Sequence, residues 1–115
     1  HSPVAKVMLD AEGNIMYANK AAADTLGLEV SEIVRQHYDS SQWTMLNHEG
    51  EKLNDKDIPF NVIKNMMEPL VNYPVKLKKP DDRIVPMLVN GVPVKDEGGR
   101  LEYIVFSLVE IPGEN

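Results

Sequence analysis

Three histidines, His1, His37 and His48, are the side chains most open to acid–base or metal chemistry in this 115-residue chain, and cysteine is absent. Without cysteine there is no disulfide framework, thiolate zinc site, thiol nucleophile or cysteinyl cofactor adduct. His37 stands just ahead of Ser40-Ser41, a spacing that suggests a base beside a nucleophile. Nothing nearby supplies a nucleophile elbow or an oxyanion loop, so the juxtaposition reads as coincidence. His1 is terminal, His48 sits in a predicted turn, and a lone loop histidine such as His37 is more often solvated than a ligand. Carboxylates gather in turns, at Asp81-Asp82 and Asp96-Glu97, spaced as solubilising residues. Gly98-Gly99 lies in a turn ahead of a strand, so it is no phosphate loop. These readings predict no catalysis and no metal site.

Charge and hydropathy narrow the classes further. Twelve basic against eighteen acidic side chains give a net charge of −6 and a pI near 5.0. A partner such as nucleic acid calls for a basic face, and none is expected here. The lysines of residues 76–79 and Arg83 have acidic neighbours and read as a solvated face. No apolar run approaches the roughly 18 residues of a membrane span, and no signal peptide is visible. A cytoplasmic location without direct membrane insertion is the expectation. The length suits one domain with a single core.

The elements that must position any site follow from the rhythm of the chain. Residues 4–10 and 15–18 are apolar runs flanking Ala11-Glu12-Gly13-Asn14, the signature of a β-hairpin. Asn19 caps a predicted helix over residues 20–26 that Gly27 terminates. Ser31 reads as the cap of a short helix through Val34, and from Arg35 to Lys56 the pattern dissolves around Trp43, with a turn at residues 48–51. Asp57 reads as the cap of a helix bearing Pro59 early and Phe60, Ile63, Met66 and Met67 on one face, stopped by Glu68-Pro69. Three strands then follow, over residues 70–78, 83–94 and 101–111, with turn residues between them. Five antiparallel strands and a few short helices make an α+β chain.

Alternation assigns faces. Val71, Tyr73, Val75 and Leu77 share one face, with Asn72, Lys76 and Lys78 on the other. Val85, Met87 and Val89 oppose Ile84, Leu88 and Val92, while Ile104, Phe106 and Leu108 oppose Tyr103, Val105 and Val109. A strand apolar on both sides is covered on both sides. The helices suffice for one face, so the other calls for short loops, a flanking helix or a second copy of the chain.

The order and spacing of these pieces resemble the PAS domain. The carriers are Val7-Met8-Leu9-Asp10, Gly13-Asn14-Ile15, Tyr17-Ala18-Asn19, Ala22 and Leu26-Gly27 at the start. Trp43, Asn47 to Glu51 and Ile58-Pro59-Phe60 carry it through the middle, and Pro80 to Arg83, Val92 to Arg100 and Glu110-Ile111 at the end. The likeness spans about residues 4–111. It implies a five-stranded antiparallel sheet in order 2-1-5-4-3 with short helices on one face, and Asn19 as a purely structural cap. Glu110-Ile111-Pro112 departs from the family's usual Asp-Ile-Thr close, and no amphipathic helix precedes the first strand. Both suggest a domain excised from a longer signalling chain.

The resemblance also says which cofactors to test. Haem-binding members place a histidine on the helix before the third strand, and residues 57–67 contain none. The flavin-binding photosensory branch needs an adduct cysteine and polar residues where this chain has Leu77, Met87 and Leu108. Neither haem nor that flavin is expected. Candidate pocket residues are Trp43, Phe60, Ile63, Met67, Tyr73, Val75, Leu77, Met87, Val89, Ile104, Phe106 and Leu108. They form either a packed core or a cavity for a small apolar ligand, with Gly91 leaving room and Tyr73, Trp43 and Asn61 as orienting groups. Leu88, Tyr103, Val105 and Val109 are the interface candidates for a homodimer. The implied function is a sensing or regulatory module acting on an effector domain of the same chain, most often a sensor histidine kinase in a bacterium or archaeon. The alternative is a ligand-free interaction module, as in a transcription regulator or a diguanylate cyclase.

Overall fold

Asp10 sets the first corner. Its carboxylate accepts the backbone N–H groups of Glu12 (3.0 Å) and Asn14 (2.9 Å), and Gly13 takes the left-handed backbone the turn requires (φ 91°). The corner joins β1 (Ala5–Asp10) to β2 (Ile15–Ala18). The computed structural model describes residues 4–40 and 42–111; His1, Ser41 and Pro112 lie outside the described residues.

Asn19 caps α1 (Lys20–Leu26) as its type predicts, Oδ1 accepting the Ala22 N–H at 2.9 Å, and Gly27 ends the helix in the left-handed region (φ 76°). The next helix, α2 (Val30–Ile33), begins at Glu29 and not at Ser31, because Glu32 Oε1 reaches back to the Glu29 N–H at 2.8 Å. A short strand, β3 (Thr44–Leu46), and a single 3-10 turn (Asp55–Asp57) lead into α3 (Pro59–Met66). Asp57 closes the 3-10 turn and does not cap α3. Ile58 takes that place in the extended conformation a residue before proline prefers, with Pro59 first in the helix. The helix stops at Met67, itself left-handed (φ 58°), before Glu68-Pro69. Met66 turns to solvent, 62% exposed, so it leaves the apolar face on which its spacing put it.

Strands β4 (Leu70–Lys78), β5 (Ile84–Lys95) and β6 (Leu101–Glu110) complete one antiparallel sheet in the order β2-β1-β6-β5-β4-β3. Five of these are the predicted strands in the predicted order. The sixth is β3, which pairs through Thr44↔Lys78, Met45↔Leu77 and Leu46↔Lys76 and forms the edge beyond β4. The pairing of β4 with β5 is irregular between Leu70 and Tyr73, where Asn72 has φ 51° and its N–H bonds Asn90 Oδ1 at 2.8 Å. That bulge swings Val71 outward to 72% exposure, against its predicted place beside Tyr73 and Val75. The core lies where the helices meet one face of the sheet, on Val75, Leu77, Met87, Val89, Ile104 and Phe106 below and Ala22, Leu26, Ile33, Phe60 and Ile63 above.

Candidate functional site

Between the helices and the sheet remains a cavity of about 60 Å³. Its floor is Val7 and Leu9 of β1, Ile15 of β2, Val89 of β5, and Phe106 and Leu108 of β6; its roof is Leu26, Tyr38, Trp43, Met45, Ile58, Pro59 and Phe60. Of the candidate pocket residues, Trp43, Phe60, Val89, Phe106 and Leu108 line it. Ile63, Val75, Leu77, Met87 and Ile104 are buried in the solid core beside it. Met67 sits half-buried at the end of α3. Tyr73 faces a separate groove at the open edge of β4, its hydroxyl donating to the Asp57 carbonyl at 2.6 Å. Burial, then the Asp57 charge, holds the Tyr73 hydroxyl above its usual pKa.

Gly91 does not leave room for a ligand. A Cβ there would stand 2.5 Å from Ile63 Cδ1 and 2.8 Å from a Phe106 ring carbon, so neighbouring side chains already fill that space. Asn61 is likewise occupied, donating to the Asp55 carbonyl (2.8 Å) and the Tyr38 hydroxyl (3.3 Å). Trp43 alone of the three proposed orienting groups reaches the cavity. The three positions at which photosensory relatives need polar residues remain apolar here: Leu108 on the cavity wall, and Leu77 and Met87 in the core.

Sequence reasoning missed the strap over residues 36–40, which crosses from α2 to the roof. Its bonds run to the β1–β2 hairpin: the Ile15 N–H donates to the Gln36 carbonyl and the Tyr38 N–H to the Gly13 carbonyl, both at 2.9 Å. Tyr38 then stacks on Phe60 of α3, ring centroids 4.8 Å apart and planes at 21°. Beyond the shared wall of Tyr38, Trp43, Met45 and Ile58 lies a surface cleft of about 370 Å³, edged by Asp39, Ser40, Lys52 and Asp55. Tyr38 shows no periodic signal because it lies in irregular chain, and Met45 belongs to a strand of three residues. His37 is half-buried, held through both ring nitrogens by Asp39 and the Glu12 carbonyl. Among the described residues no three His, Asp or Glu side chains gather as metal ligands.

The opposite face of the sheet carries all four interface candidates. Tyr17, Met8, Val105 and Val92 stand in register across β2, β1, β6 and β5. Tyr103 pairs with Val94 in the next row, while Val109 and Leu88 pair two rows away, beyond the polar row Lys6–Ser107–Asn90. Tyr17, Val92 and Val109 are 49%, 52% and 44% exposed. An irregularity in the pairing of β1 with β2 leaves Met16 exposed as well.

Comparison with known proteins agrees with this architecture. The family described as PAS domain matches residues 3–111. No curated protein sequence matches the chain. Among solved structures, the PAS domain of the fruit-fly ELK potassium channel superposes with a TM-score of 0.74 at 16% identity, covering 96% of this chain and 88% of that one. The light-state dimer of the fungal blue-light photoreceptor Vivid gives 0.73 at 17%, covering 93% and 77%. The PAS domain of nitrogen regulation protein NR(II) from Vibrio parahaemolyticus gives 0.65 at 17%, covering 94% and 89%. At such identities the superpositions speak for the fold, and the family match over nearly the whole length speaks for descent. The chain belongs to the PAS family of signal-sensing domains.

Proposed function

We propose that this PAS domain is a non-catalytic regulatory module that works by pairing with a second copy through the outer face of its sheet. The observation that carries the reading is the in-register apolar row Tyr17–Met8–Val105–Val92, with Tyr103 and Val94 in the next row. Contiguous apolar surface of this kind on a sheet marks a contact site more often than a free face. A two-fold contact would set the row of one copy against that of the other, and Lys6 and Asp10, which flank Met8 on the same face of β1, offer opposite charges to such a partner. The effector it controls belongs to the same chain, and the resemblance to the PAS domain makes a sensor histidine kinase the proposed one. A cytoplasmic setting accords with this. No helix among the described residues is long and apolar enough to cross a membrane.

The cavity supports a second and narrower reading, the sensing of a very small apolar molecule. About 60 Å³ is well below the roughly 300–1,000 Å³ of ordinary ligand pockets. Haem and flavin are therefore not expected, and the purified protein should be colourless. Analytical ultracentrifugation over a concentration series tests the main reading. The wild type should sediment as a dimer and Val105→Glu as a folded monomer. A wild type that stays monomeric, or a Val105→Glu variant that stays dimeric, would refute docking through this face. A stoichiometric small molecule in native mass spectra would turn the assignment toward sensing.

A further inference from the structure

His37 sits where the strap meets the β1–β2 turn. Its Nδ1 lies 2.6 Å from Asp39 Oδ1 and its Nε2 lies 2.7 Å from the Glu12 carbonyl oxygen. A carboxylate and a carbonyl can only accept, so both ring nitrogens must donate, and only the imidazolium has two N–H groups. We propose that His37 is a pH-sensitive latch: its imidazolium staples the strap to the β1–β2 turn, and loss of one proton releases the strap and with it the Tyr38 wall of the cavity. Neutral imidazole keeps one N–H and turns a lone pair toward either Glu12 or Asp39. The ring is confined on two sides, by the Gly13 backbone over which it packs and by the Tyr38 ring.

The surrounding charges set the direction. Burial pulls the His37 pKa down, but the bonds to Asp39 and Glu12 and the negative charges of Asp39 and Asp10 outweigh it, and the pKa rises above its usual value. Asp39 stays ionised, its carboxyl lowered chiefly by the bond to His37, with Lys52 contributing from the loop beyond β3. The other titratable residues beside the ring are Glu12, whose carbonyl it bonds, and its chain neighbour Tyr38, with exposed Arg35 two residues before it. The staple is therefore complete below about pH 6.5 and is lost as pH rises through the higher folded value. The lever is short. The ring of His37 lies 4.4 Å from that of Tyr38, and Tyr38 stacks directly on Phe60 of α3.

Nitrogen-detected NMR of the wild type reads the ring itself. At acid pH both His37 nitrogens should carry protons, with a midpoint above the ordinary histidine value of about 6.5. Amide exchange at Tyr38 and Ile15, corrected for the intrinsic pH dependence of exchange, should quicken about tenfold across that midpoint, the scale of one charge-assisted hydrogen bond. Acrylamide quenching of Trp43, the lone tryptophan and a cavity-lining residue, should rise over the same range. His37→Gln should abolish the pH dependence of both signals, and Asp39→Asn should lower the His37 midpoint. A wild-type midpoint at or below the ordinary value overturns the proposal, even if His37→Gln does not fold. An unchanged pH profile in a folded His37→Gln protein overturns it equally.

Discussion

Replacing Gly91 by alanine asks whether the interior is packed or has room to spare. Gly91 lies buried in β5 opposite Phe106 of β6 and beneath Ile63 of α3. The new methyl would stand 2.5 Å from Ile63 Cδ1 and 2.8 and 2.9 Å from two ring carbons of Phe106. Carbon pairs are comfortable at about 3.5–4.0 Å, so all three contacts are repulsive. Ile63 is 0% exposed and Phe106 4%, so both must shift within a packed interior to relieve the contacts. Two effects oppose each other. Alanine is worth about 0.5–1 kcal/mol over glycine inside a strand, while overpacking costs about 1–3 kcal/mol. With clashes from two different elements the second wins, and Gly91→Ala should destabilise by about 1–2 kcal/mol. For a domain of this size that is a fall in Tm of about 4–8 °C. Urea unfolding should show a lower midpoint at an unchanged slope. Ile63→Ala, costing about 2–5 kcal/mol alone, should cost less in the Gly91→Ala background, because the alanine methyl enters the space that isoleucine vacates. A neutral or stabilising Gly91→Ala, or strict additivity in that cycle, would show that the interior has free volume here.

Four other substitutions probe the frame. Asn19→Ala removes bonds to the Lys6 N–H (3.0 Å), the Ala22 N–H (2.9 Å) and the Val4 carbonyl (2.9 Å), and should cost about 2 kcal/mol, the top of the capping range, in urea unfolding. Gly13→Ala and Gly50→Ala share a positive φ, but a Cβ at 13 meets Tyr38 Cδ1 at 2.5 Å whereas one at 50 meets nothing within 4 Å. Gly50→Ala should therefore cost only the left-handed penalty of about 1–2 kcal/mol, and Gly13→Ala should melt clearly below it. Burial of Asp10 works to raise its pKa, but the bonds from Asn14, Glu12 and Gly13 prevail and lower it. Its stabilisation is then complete above about pH 3.9 and lost as pH falls through the lower folded value, so Asp10→Asn should flatten the acid unfolding limb below about pH 4.

The frame was legible because it rests on short-range chemistry. Asn19 and Gly27 bracket α1 by their own conformational preferences, and alternation in β5 and β6 sorts Val89 from Leu88 and Phe106 from Val105. Features that depend on partners distant in sequence were hidden. Strand β3 is too short to show a period and exists because Met45 finds Leu77. Val71 loses its inward place to a bulge whose support is the Asn90 side chain, 18 residues away. The roof of the cavity was hardest, since Tyr38 is placed by the Gly13 carbonyl, by Phe60 and, through His37, by the Glu12 carbonyl, all distant in sequence.

The pleat of β5 and β6 decides which lever on the proposed module is the stronger. Val89, Phe106 and Leu108 wall the cavity, and the residues beside them in sequence, Leu88, Val105 and Val109, form the outer face, so a shift on one side displaces the other. A ligand moves such an equilibrium only by its difference in affinity for the two states. Turning a 1:99 population into 99:1 takes about 5.5 kcal/mol. A molecule that fits about 60 Å³ buries few methylene groups, each worth about 0.8 kcal/mol, and only part of that sum discriminates between states. Pairing through the outer face brings several partly exposed valine and tyrosine side chains out of water at once, each worth up to about 1.5–3 kcal/mol on full burial. In the proposed module, association would therefore draw on the larger free energy, and a small apolar molecule in the cavity would tune it.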